Sequence, residues 1–307
     1  MEKIIVFGHK SPDTDTICSS IVMADLQTKL RGVEVVPCKL GEINEETKFA
    51  LNKFKVEEPE LIEKVEEGQV VILVDHNEFS QSVEGIENAK IDSVVDHHRI
   101  NNFQTAEPLF YYAQLVGCTS TILFELYKMN NIEVEPKMAG LMLSAIISDT
   151  LLFKSPTCTD TDREVAKELA KIAELDVDTY GLDMLKAGTD LSSFATEELL
   201  TLDAKEMDIK GNKVIVAQVN TASIPDVMKK QNEIEEAIKN VVSEKGLDLF
   251  MFVITDIINS NSQTIALGNK ADLVEKSYNV KLENNTALLE GVVSRKKQVV
   301  PIMTENA

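Results

Sequence analysis

Short β-rich segments alternate with segments of helical periodicity in the first half of the chain, and this alternation restricts the fold more than any other feature. The β-rich segments lie at residues 3–7, 33–40, 70–74 and 91–95, and residues 4–7 and 70–74 are apolar throughout. Consecutive apolar positions are typical of parallel strands that are buried on both faces. Residues 16–30 and 45–54 have the 3.6-residue spacing of helices. The pattern predicts an α/β domain with a doubly wound, mostly parallel sheet.

The rest of the chain divides at a break in this pattern. Residues 119–187 have an almost wholly helical character, and the periodicity lapses after them. Because 307 residues exceed the size at which one hydrophobic core usually stops growing, two domains are expected. We predict a first domain at residues 1–187, a flexible linker at 188–194 and a second domain at 195–307.

The second domain has a different pattern. Lys210-Gly211-Asn212-Lys213 is typical of a hairpin turn, and a helix is predicted from about Pro225 to Lys245 with Ser223 as its cap. Strands are predicted near residues 249–254 and 264–267. This combination indicates a smaller α/β domain with a mixed sheet.

The chain is strongly acidic. Its 31 basic and 51 acidic side chains give a formal charge of −20 at pH 7. Such a protein repels nucleic acids and acidic membrane surfaces, so neither is expected as a partner. No apolar run approaches the length of a membrane span. An anionic substrate would therefore have to be held by local cations.

The four cysteines, Cys18, Cys38, Cys118 and Cys158, are far apart in the sequence. They form no C-x-x-C pair, which argues against a zinc ribbon or a redox motif. Free thiols are typical of a reducing compartment. The four apolar residues before Gly8 are also too few for the apolar core of a signal peptide. A cytoplasmic location is therefore expected.

Carboxylates and imidazoles gather where the predicted strands end. The motifs are His9 to Asp15 after the first strand, Asp75-His76-Asn77 after residues 70–74, and Asp96-His97-His98 after residues 91–95. These motifs contain all four histidines of the chain. Asp149 follows the apolar run at residues 141–147, which predicts a buried helix. Because ligands bind at the carboxyl ends of strands in open parallel sheets, we expect these groups to converge.

This set of side chains favours particular metals and a particular reaction. Imidazoles and carboxylates without thiolates suit Mn, Fe, Co or Zn, whereas Mg prefers oxygen ligands and water. Four aspartates and two imidazoles are more than one ion normally uses, so two ions are indicated. Paired ions acidify a shared water and hold both oxygens of a displacement, which serves phosphoryl hydrolysis.

Each motif taken alone also has a structural interpretation. Asp13 and Asp15 are typical of a turn or a helix cap, and Asp75 is placed to cap a helix. A basic run such as Arg295-Lys296-Lys297 is most often a solvated surface. The coincidence of every histidine with an aspartate-rich strand end favours the metal site over these separate roles.

The motifs resemble those of the DHH phosphoesterases. The resemblance rests on G-H-x-x-P-D-x-D at residues 8–15, on Asp75-His76-Asn77, on Asp96-His97-His98 and on Ser148-Asp149. The tail Ser294-Arg295-Lys296-Lys297-Gln298 resembles more specifically the bacterial manganese-dependent family II inorganic pyrophosphatases. The resemblance covers essentially the whole chain. It implies a DHH metal-binding catalytic domain, a linker and a substrate-binding C-terminal domain.

The resemblance also implies roles for individual residues. One Mn²⁺ would be held by His9, Asp13 and Asp75, and the other by Asp15, Asp75, His97 and Asp149. Asp75 would bridge the ions. Pyrophosphate would be bound by the residues assigned as catalytic, namely His98, Lys205, Arg295 and Lys296. Co²⁺ is expected as a substitute metal, Mg²⁺ is expected to arrive with the substrate, and a homodimer through the N-terminal domain is expected.

Charge balance supports this assignment independently. Four aspartates and two divalent ions carry equal and opposite charge, so the metal cluster alone cannot hold a polyanion. The triplet at residues 295–297 supplies the missing cations. Because the metals would lie before the linker and the triplet after it, domain closure over the substrate is expected. The expected reaction is in-line attack by a metal-bridging hydroxide. Asp96 is expected to orient a histidine. His76 is expected either to do the same or to start a helix.

Three alternatives remain at this stage. A DHH exopolyphosphatase acting on short polyphosphates has a related second domain. A DHH nuclease characteristically carries a G-G-G-H element, but this chain has no Gly-Gly pair and no histidine after His98. A non-enzymatic metal sensor would explain the ligands but not Lys205 or the basic triplet.

Overall fold

The chain is described here by a computed structural model, which covers residues 3–191 and 194–307, with only the backbone at positions 296 and 297. It separates into two compact units, Met1–Gly188 and Thr189–Ala307. The linker predicted at 188–194 includes Ser192 and Ser193, which lie outside the described residues. Each unit has its own sheet.

The first unit contains a six-stranded sheet, and all its strand pairs are parallel. Its strands are β1 (Ile4–Phe7), β2 (Val35–Lys39), β3 (Glu60–Leu61), β4 (Val70–Val74), β5 (Lys90–Asp96) and β6 (Phe110–Ala113). The strand order is β3-β2-β1-β4-β5-β6, so the direction of winding reverses between β1 and β4. This order confirms the predicted doubly wound parallel sheet and brings the ends of β1, β4 and β5 side by side.

The central strands are buried on both faces, which explains their continuous apolar sequence. All five residues of β4 are buried. Phe7, Leu73 and Val94 belong to a cluster on one face that also includes Val83 and Ile86 from the segment between β4 and β5. Burial of side chains of this size stabilises a fold by about 1.5–3 kcal/mol each.

Six α-helices complete the described part of the first unit, and local signals set their ends. They are α1 (Thr14–Arg31), α2 (Glu45–Phe54), α3 (Thr119–Met129), α4 (Pro136–Thr150), α5 (Asp160–Ile172) and α6 (Val177–Gly188). The Asp13 carboxylate caps α1 by accepting from Thr16 N, and a Thr159–Asp162 capping box starts α5. Pro136 opens α4, as predicted. Helix α1 packs against α3 and α4. The start of α1 and the end of α4 adjoin the predicted motif residues Asp15 and Asp149.

The second unit contains a five-stranded mixed sheet, as predicted. Its elements are α7 (Thr196–Leu199), β7 (Ala204–Ile209), β8 (Asn212–Thr221), α8 (Ile224–Met228), α9 (Gln231–Lys245), β9 (Leu249–Asp256), β10 (Asn261–Leu267), α10 (Asp272–Tyr278), β11 (Thr286–Leu289), a π-helical turn (Arg295–Val299) and α11 (Val300–Asn306). The strand order is β11-β10-β9-β8-β7, with β8 and β9 parallel and the other pairs antiparallel. Alternate residues of β9, such as Phe252 and Val253, enter separate cores on the two faces.

Local details of the second unit agree with the sequence in one place and differ in another. Lys210 and Gly211 both have positive φ in the turn between β7 and β8, which suits the predicted hairpin. The single helix expected from Pro225 to Lys245 is wrong, because α8 ends before α9 begins. At the break, Lys230 Nζ donates to the Phe194 carbonyl, a contact that periodicity does not reveal. Ser223 takes the capping position without a side-chain capping bond.

Among the helices that the structure describes, none combines the length and the apolar character needed to cross a membrane.

Candidate metal centre

The loop after β1 places a histidine and an aspartate together. The loop packs tightly on α1, because a Cβ at Gly8 would lie 2.5 Å from Thr16 Cγ2. His9 Nδ1 lies 2.7 Å from the carbonyl oxygen of Lys10, so it donates there and leaves Nε2 as the free nitrogen. Nε2 lies 3.4 Å from Oδ2 of Asp13 and 3.5 Å from Oδ2 of Asp75. The free imidazole nitrogen therefore faces two carboxylates.

Asp75 lies at the end of β4 and is held on both carboxylate oxygens. The Thr16 hydroxyl donates to Oδ2 at 2.6 Å, and the Thr119 hydroxyl donates to Oδ1 at 3.0 Å. Its backbone has a φ of 58°, which is uncommon outside glycine but tolerated by aspartate. Thr16 and Thr119 were not predicted as residues of the site. Thr16 lies beside Asp15, but no local signal marks Thr119.

Asp15 is bound by the N-terminus of α3. The backbone N–H groups of Thr119 and Ser120 donate to its two oxygens at 2.7 and 3.2 Å. The Ser19 hydroxyl donates to Oδ1 at 2.6 Å. Unpaired N–H groups at a helix start attract acceptor oxygens, so the N-terminus of α3 fixes the position of this carboxylate.

His97 and Asp149 lie on the other side of Asp75. His97 Nδ1 donates to the Val116 carbonyl at 3.1 Å, which again leaves Nε2 free. This Nε2 lies 3.4 Å from Asp75 Oδ1 and 3.8 Å from Asp149 Oδ2. Asp149 lies in the last turn of α4, where the helix dipole disfavours a negative charge. The position of Asp149 therefore calls for a nearby cation.

The potential ligand atoms fall into overlapping groups. Within the described residues, the groups whose ligand atoms lie within 4.8 Å of one another are His9–Asp13–Asp75, Asp15–His97–Asp149 and Asp75–His97–His98. Two ligands about 2.1 Å from one ion lie about 3.0–3.6 Å apart at ordinary coordination angles. The measured nitrogen-to-oxygen distances of 3.4–3.8 Å are close to this range and are too long for strong hydrogen bonds. The donor set fits two ions that share Asp75.

The pKa shifts in the cluster indicate that it lacks positive charge. Burial, with a smaller effect from the charge of Asp15, raises the pKa of Asp75 to about 7. The same two causes raise the pKa of Asp149 well above its ordinary value. Burial lowers the pKa of His97, but the Asp75 and Asp15 carboxylates outweigh it and raise the value to about 9. Without metal, the cluster therefore holds protons in place of cations.

The remaining histidines separate into two environments. His98 is half exposed, and its Nδ1 lies 3.0 Å from Asp96 Oδ1, which also accepts from the His98 backbone N–H. Asn77 donates to the other Asp96 oxygen at 2.7 Å. His76 is buried outside the cluster between the Val74 carbonyl and the Ser82 hydroxyl, and burial lowers its pKa to about 4. Asp96 thus orients His98, and His76 is a neutral core residue.

The basic residues predicted to bind the substrate belong to the second unit. Lys205 is exposed on β7. Arg295 is only 4% exposed, and its guanidinium group pairs with the Asp203 carboxylate at 2.8 Å. Arg295 and Asp203 line a cavity of about 430 Å³ together with Gln218, Asn220 and Ser294. The side chain of Lys296 lies outside the described atoms.

Comparison with known proteins assigns both units. A model of the "DHH family, N-terminal domain" matches residues 3–146, and a "DHHA2 domain" model matches residues 182–306. The manganese-dependent inorganic pyrophosphatase of Bacillus subtilis is 60% identical over 306 residues, which is 99% of each chain. A Bacillus velezensis protein given the same assignment is 59% identical over the same share. The crystal structure of a Methanococcus jannaschii protein assigned to family II inorganic pyrophosphatases is 44% identical, covers 99% of both chains and has a TM-score of 0.63.

Proposed function

The chain belongs to the manganese-dependent inorganic pyrophosphatases, and we propose on this premise that it hydrolyses inorganic pyrophosphate to two phosphates. The observation that carries the proposal is the position of Asp75, whose two oxygens face different imidazoles on either side. A carboxylate that lies between two ligand groups can serve as a shared ligand in a two-metal phosphoryl hydrolase. The reaction class follows from this geometry, and the substrate follows from the family.

Manganese is the metal that the family name specifies, and the donor set is compatible with it. His9, Asp13 and Asp75 would hold one ion, and Asp15, His97 and Asp149 the other. Asp75 is proposed to bind the second ion as well, since its Oδ1 lies 3.4 Å from His97 Nε2. When bound, such ions lower the pKa of water and neutralise charge on phosphoryl oxygens. We infer that Co²⁺ substitutes for Mn²⁺, because both accept mixed nitrogen and oxygen ligands. Mg²⁺ is proposed to enter with the substrate.

The chain's own residues position these ligands and supply charge. Thr16 and Thr119 fix the Asp75 carboxylate, so the shared ligand needs little reorganisation when metal binds. Asp96 accepts from His98 and raises its pKa, which favours a cationic imidazole next to an anionic substrate. We propose that His98 contacts a phosphate oxygen and that Lys205, Arg295 and Lys296 carry the remaining positive charge.

Domain closure remains part of the proposal. The six metal ligands all precede residue 188, whereas Lys205, Arg295 and Lys296 follow it. Both groups of residues are needed to neutralise pyrophosphate. We therefore propose that substrate binding brings the two units together and excludes water from the reacting phosphorus.

A homodimer through the first unit is also proposed. Strand β6 forms an edge of the first sheet, and β5 is its partner within the described chain. Phe110 on this strand is 50% exposed and stacks on Tyr112, and nearby Leu115 is 94% exposed. An apolar edge strand is a template for pairing with a second copy. This edge supports dimerisation through the N-terminal unit.

A cytoplasmic location is proposed from the state of the thiols. All four cysteines are free, and Cys18, Cys38 and Cys118 are buried. Buried free thiols suit a compartment that keeps cysteine reduced.

The substrate assignment is tested by comparing turnover on chains of defined length. Protein loaded with Mn²⁺ is assayed for phosphate release from pyrophosphate, tripolyphosphate and longer polyphosphates at equal concentrations of phosphoanhydride bonds. The proposal predicts a kcat/KM that is highest for pyrophosphate. A higher value for the longer chains would replace the proposal with exopolyphosphatase activity, and metal binding without phosphate release would indicate a sensor.

A further inference from the structure

The segment that leads into the basic triplet lacks regular secondary structure, yet its backbone is fully bonded. It runs from Gly291 to Ser294, between β11 and the π-helical turn that starts at Arg295. Irregular backbone normally relies on water for its hydrogen bonds. Here the partners are mainly the side-chain amides of Gln218 and Gln298. These bonds hold the segment in one conformation, which indicates that the position of the residues that follow it matters.

Gln298 bonds the segment from the C-terminal side. Its Oε1 accepts from the backbone N–H groups of Val293 and Ser294 at 2.9 and 3.1 Å. Its Nε2 donates to the Gly291 carbonyl at 2.7 Å. The Gln298 side-chain amide thus bonds three backbone groups of the segment that precedes it.

Gln218 bonds the same segment from strand β8. Its Oε1 accepts from the Arg295 backbone N–H at 3.0 Å, and its Nε2 donates to the Val293 carbonyl at 3.1 Å. The same Nε2 donates to the Thr255 hydroxyl on β9 at 2.7 Å. Gln218 therefore ties the segment to two central strands of the second sheet.

A third contact continues this network to β10. The Ser262 hydroxyl donates to the Val292 carbonyl at 2.7 Å and lies 2.9 Å from the Thr255 hydroxyl. Thr255 and Ser262 are both buried, so these bonds are shielded from competition with water. The segment is consequently anchored to the rigid core of the second unit.

The chemistry of the amide is what makes both glutamines effective. A glutamine side chain donates and accepts at once, whereas a carboxylate only accepts and a hydrocarbon does neither. Together, the two amides accept from every backbone N–H between Val293 and Arg295. The Asp203 carboxylate then holds the guanidinium end of Arg295.

We propose that Gln218 and Gln298 are positioning residues that fix the backbone from which the substrate-binding cations project. This inference rests on the proposed function, because it assumes that Arg295 binds pyrophosphate. Both side-chain amides already bond protein groups, so the role inferred for them is to hold this backbone in place. Their effect is on substrate affinity, since a loosely held cation loses entropy when the anion binds.

The test replaces each glutamine by methionine, which has a similar shape but forms no comparable hydrogen bonds. Gln218→Met and Gln298→Met are expected to raise KM for pyrophosphate about tenfold, with a smaller change in kcat and unchanged Mn²⁺ affinity. The matched control is Gln231→Met on α9, whose amide bonds Glu235 and the Asn284 carbonyl instead. The control should keep the parental KM.

The variant Arg295→Ala distinguishes failure of the proposed function from failure of the inference about the glutamines. If Arg295→Ala leaves KM unchanged, the proposed function of the basic segment fails. If Arg295→Ala raises KM while the glutamine variants behave like Gln231→Met, the inference alone is overturned. A fall in thermal stability without a rise in KM would also overturn it, because it would show a purely structural role.

Folding of the variants is checked by circular dichroism. If a methionine variant is unfolded, the corresponding Gln→Asn variant is used, which keeps both amide functions on a shorter side chain. A folded asparagine variant with a raised KM supports the inference, and one with the parental KM contradicts it.

Discussion

The Nε2 atom of His97 lies 3.4 Å from the Oδ1 atom of Asp75, with the Nδ1 side of the imidazole bonded to a backbone carbonyl. The separation suits two ligands of one ion better than a direct hydrogen bond. Because Nδ1 is bonded to a carbonyl, Nε2 is the nitrogen that faces the shared carboxylate and can bind a metal once its proton is displaced. Removal of this imidazole should therefore damage one ion site and leave the rest of the fold intact.

His97→Gln is predicted to lower Mn²⁺ affinity at least tenfold and to lower the rate of phosphate release with it. Metal content after dialysis and steady-state turnover measure both effects. His76→Gln is the matched control, because His76 is buried outside the ligand groups and its loss should affect stability but not stoichiometry. Unchanged metal content and turnover in His97→Gln would count against the ligand assignment.

Glu46 links two of the elements that carry ligands, although it is not a ligand itself. Its Oε1 accepts from the hydroxyl groups of Thr14 on α1, at 2.7 Å, and of Ser148 on α4. Glu46→Ala leaves both hydroxyls without this acceptor, so we predict a loss of about 1–3 kcal/mol in the free energy of unfolding and weaker Mn²⁺ binding. Urea unfolding and metal titration test this.

The neighbouring Glu45 offers a control for that prediction. Its carboxylate pairs with Lys48 at the surface, so Glu45→Ala should change stability by no more than about 0.5 kcal/mol. Equal effects of the two alanine variants would show that Glu46 does not link α1 to α4.

Metal binding should depend on pH because protons occupy the ligands. The pKa of His9 is raised to about 9, since the Asp13 and Asp75 carboxylates outweigh burial, and that of His97 is raised to the same value. Mn²⁺ must displace these protons, so its apparent affinity should rise from about pH 6 to about pH 9 and then level off. Calorimetry in buffers of different ionisation enthalpy should detect proton release at pH 7. A pH-independent affinity would contradict this.

The same shifts set the stability of the metal-free chain. The folded-state pKa of each imidazole lies above its ordinary value of 6.5. The stabilising contribution is therefore complete below about pH 6.5 and is lost as the pH rises through about 9. Thermal unfolding of metal-free protein should show a falling midpoint over this interval, and a rising midpoint would be inconsistent with the assigned shifts.

A fragment ending at Ala187 tests the division of labour between the units. It contains the six proposed ligands and their main hydrogen-bond partners, and the first unit has its own core. We predict that it binds Mn²⁺ but loses phosphate release, because the cations beyond residue 188 are missing. Full activity in the fragment would refute the two-domain scheme.

The sequence predicted the limits of an element well where the residues of that element themselves set those limits. The limits of β4 and α2 agree with the predicted segments, because a fully buried strand and a capped helix carry strong local signals. Strands β3 and β6 were not predicted. Both lie at sheet edges and have too few buried apolar residues to stand out.

The candidate site was predictable in composition but not in detail. The histidine and aspartate motifs follow strand ends, so sheet topology alone brings them together. The contacts that hold them join distant parts of the chain, as when Thr119 bonds both Asp15 and Asp75. Gln218 and Glu46 were missed for the same reason, since neither carries a motif and each acts only through the folded geometry.

The number of Mn²⁺ ions needed for activity tests the central claim most directly. Metal-stripped protein is titrated with Mn²⁺ while bound metal and phosphate release from pyrophosphate are measured together. The arrangement around Asp75 predicts that full activity requires two bound ions per chain. Full activity with one ion or none would contradict it.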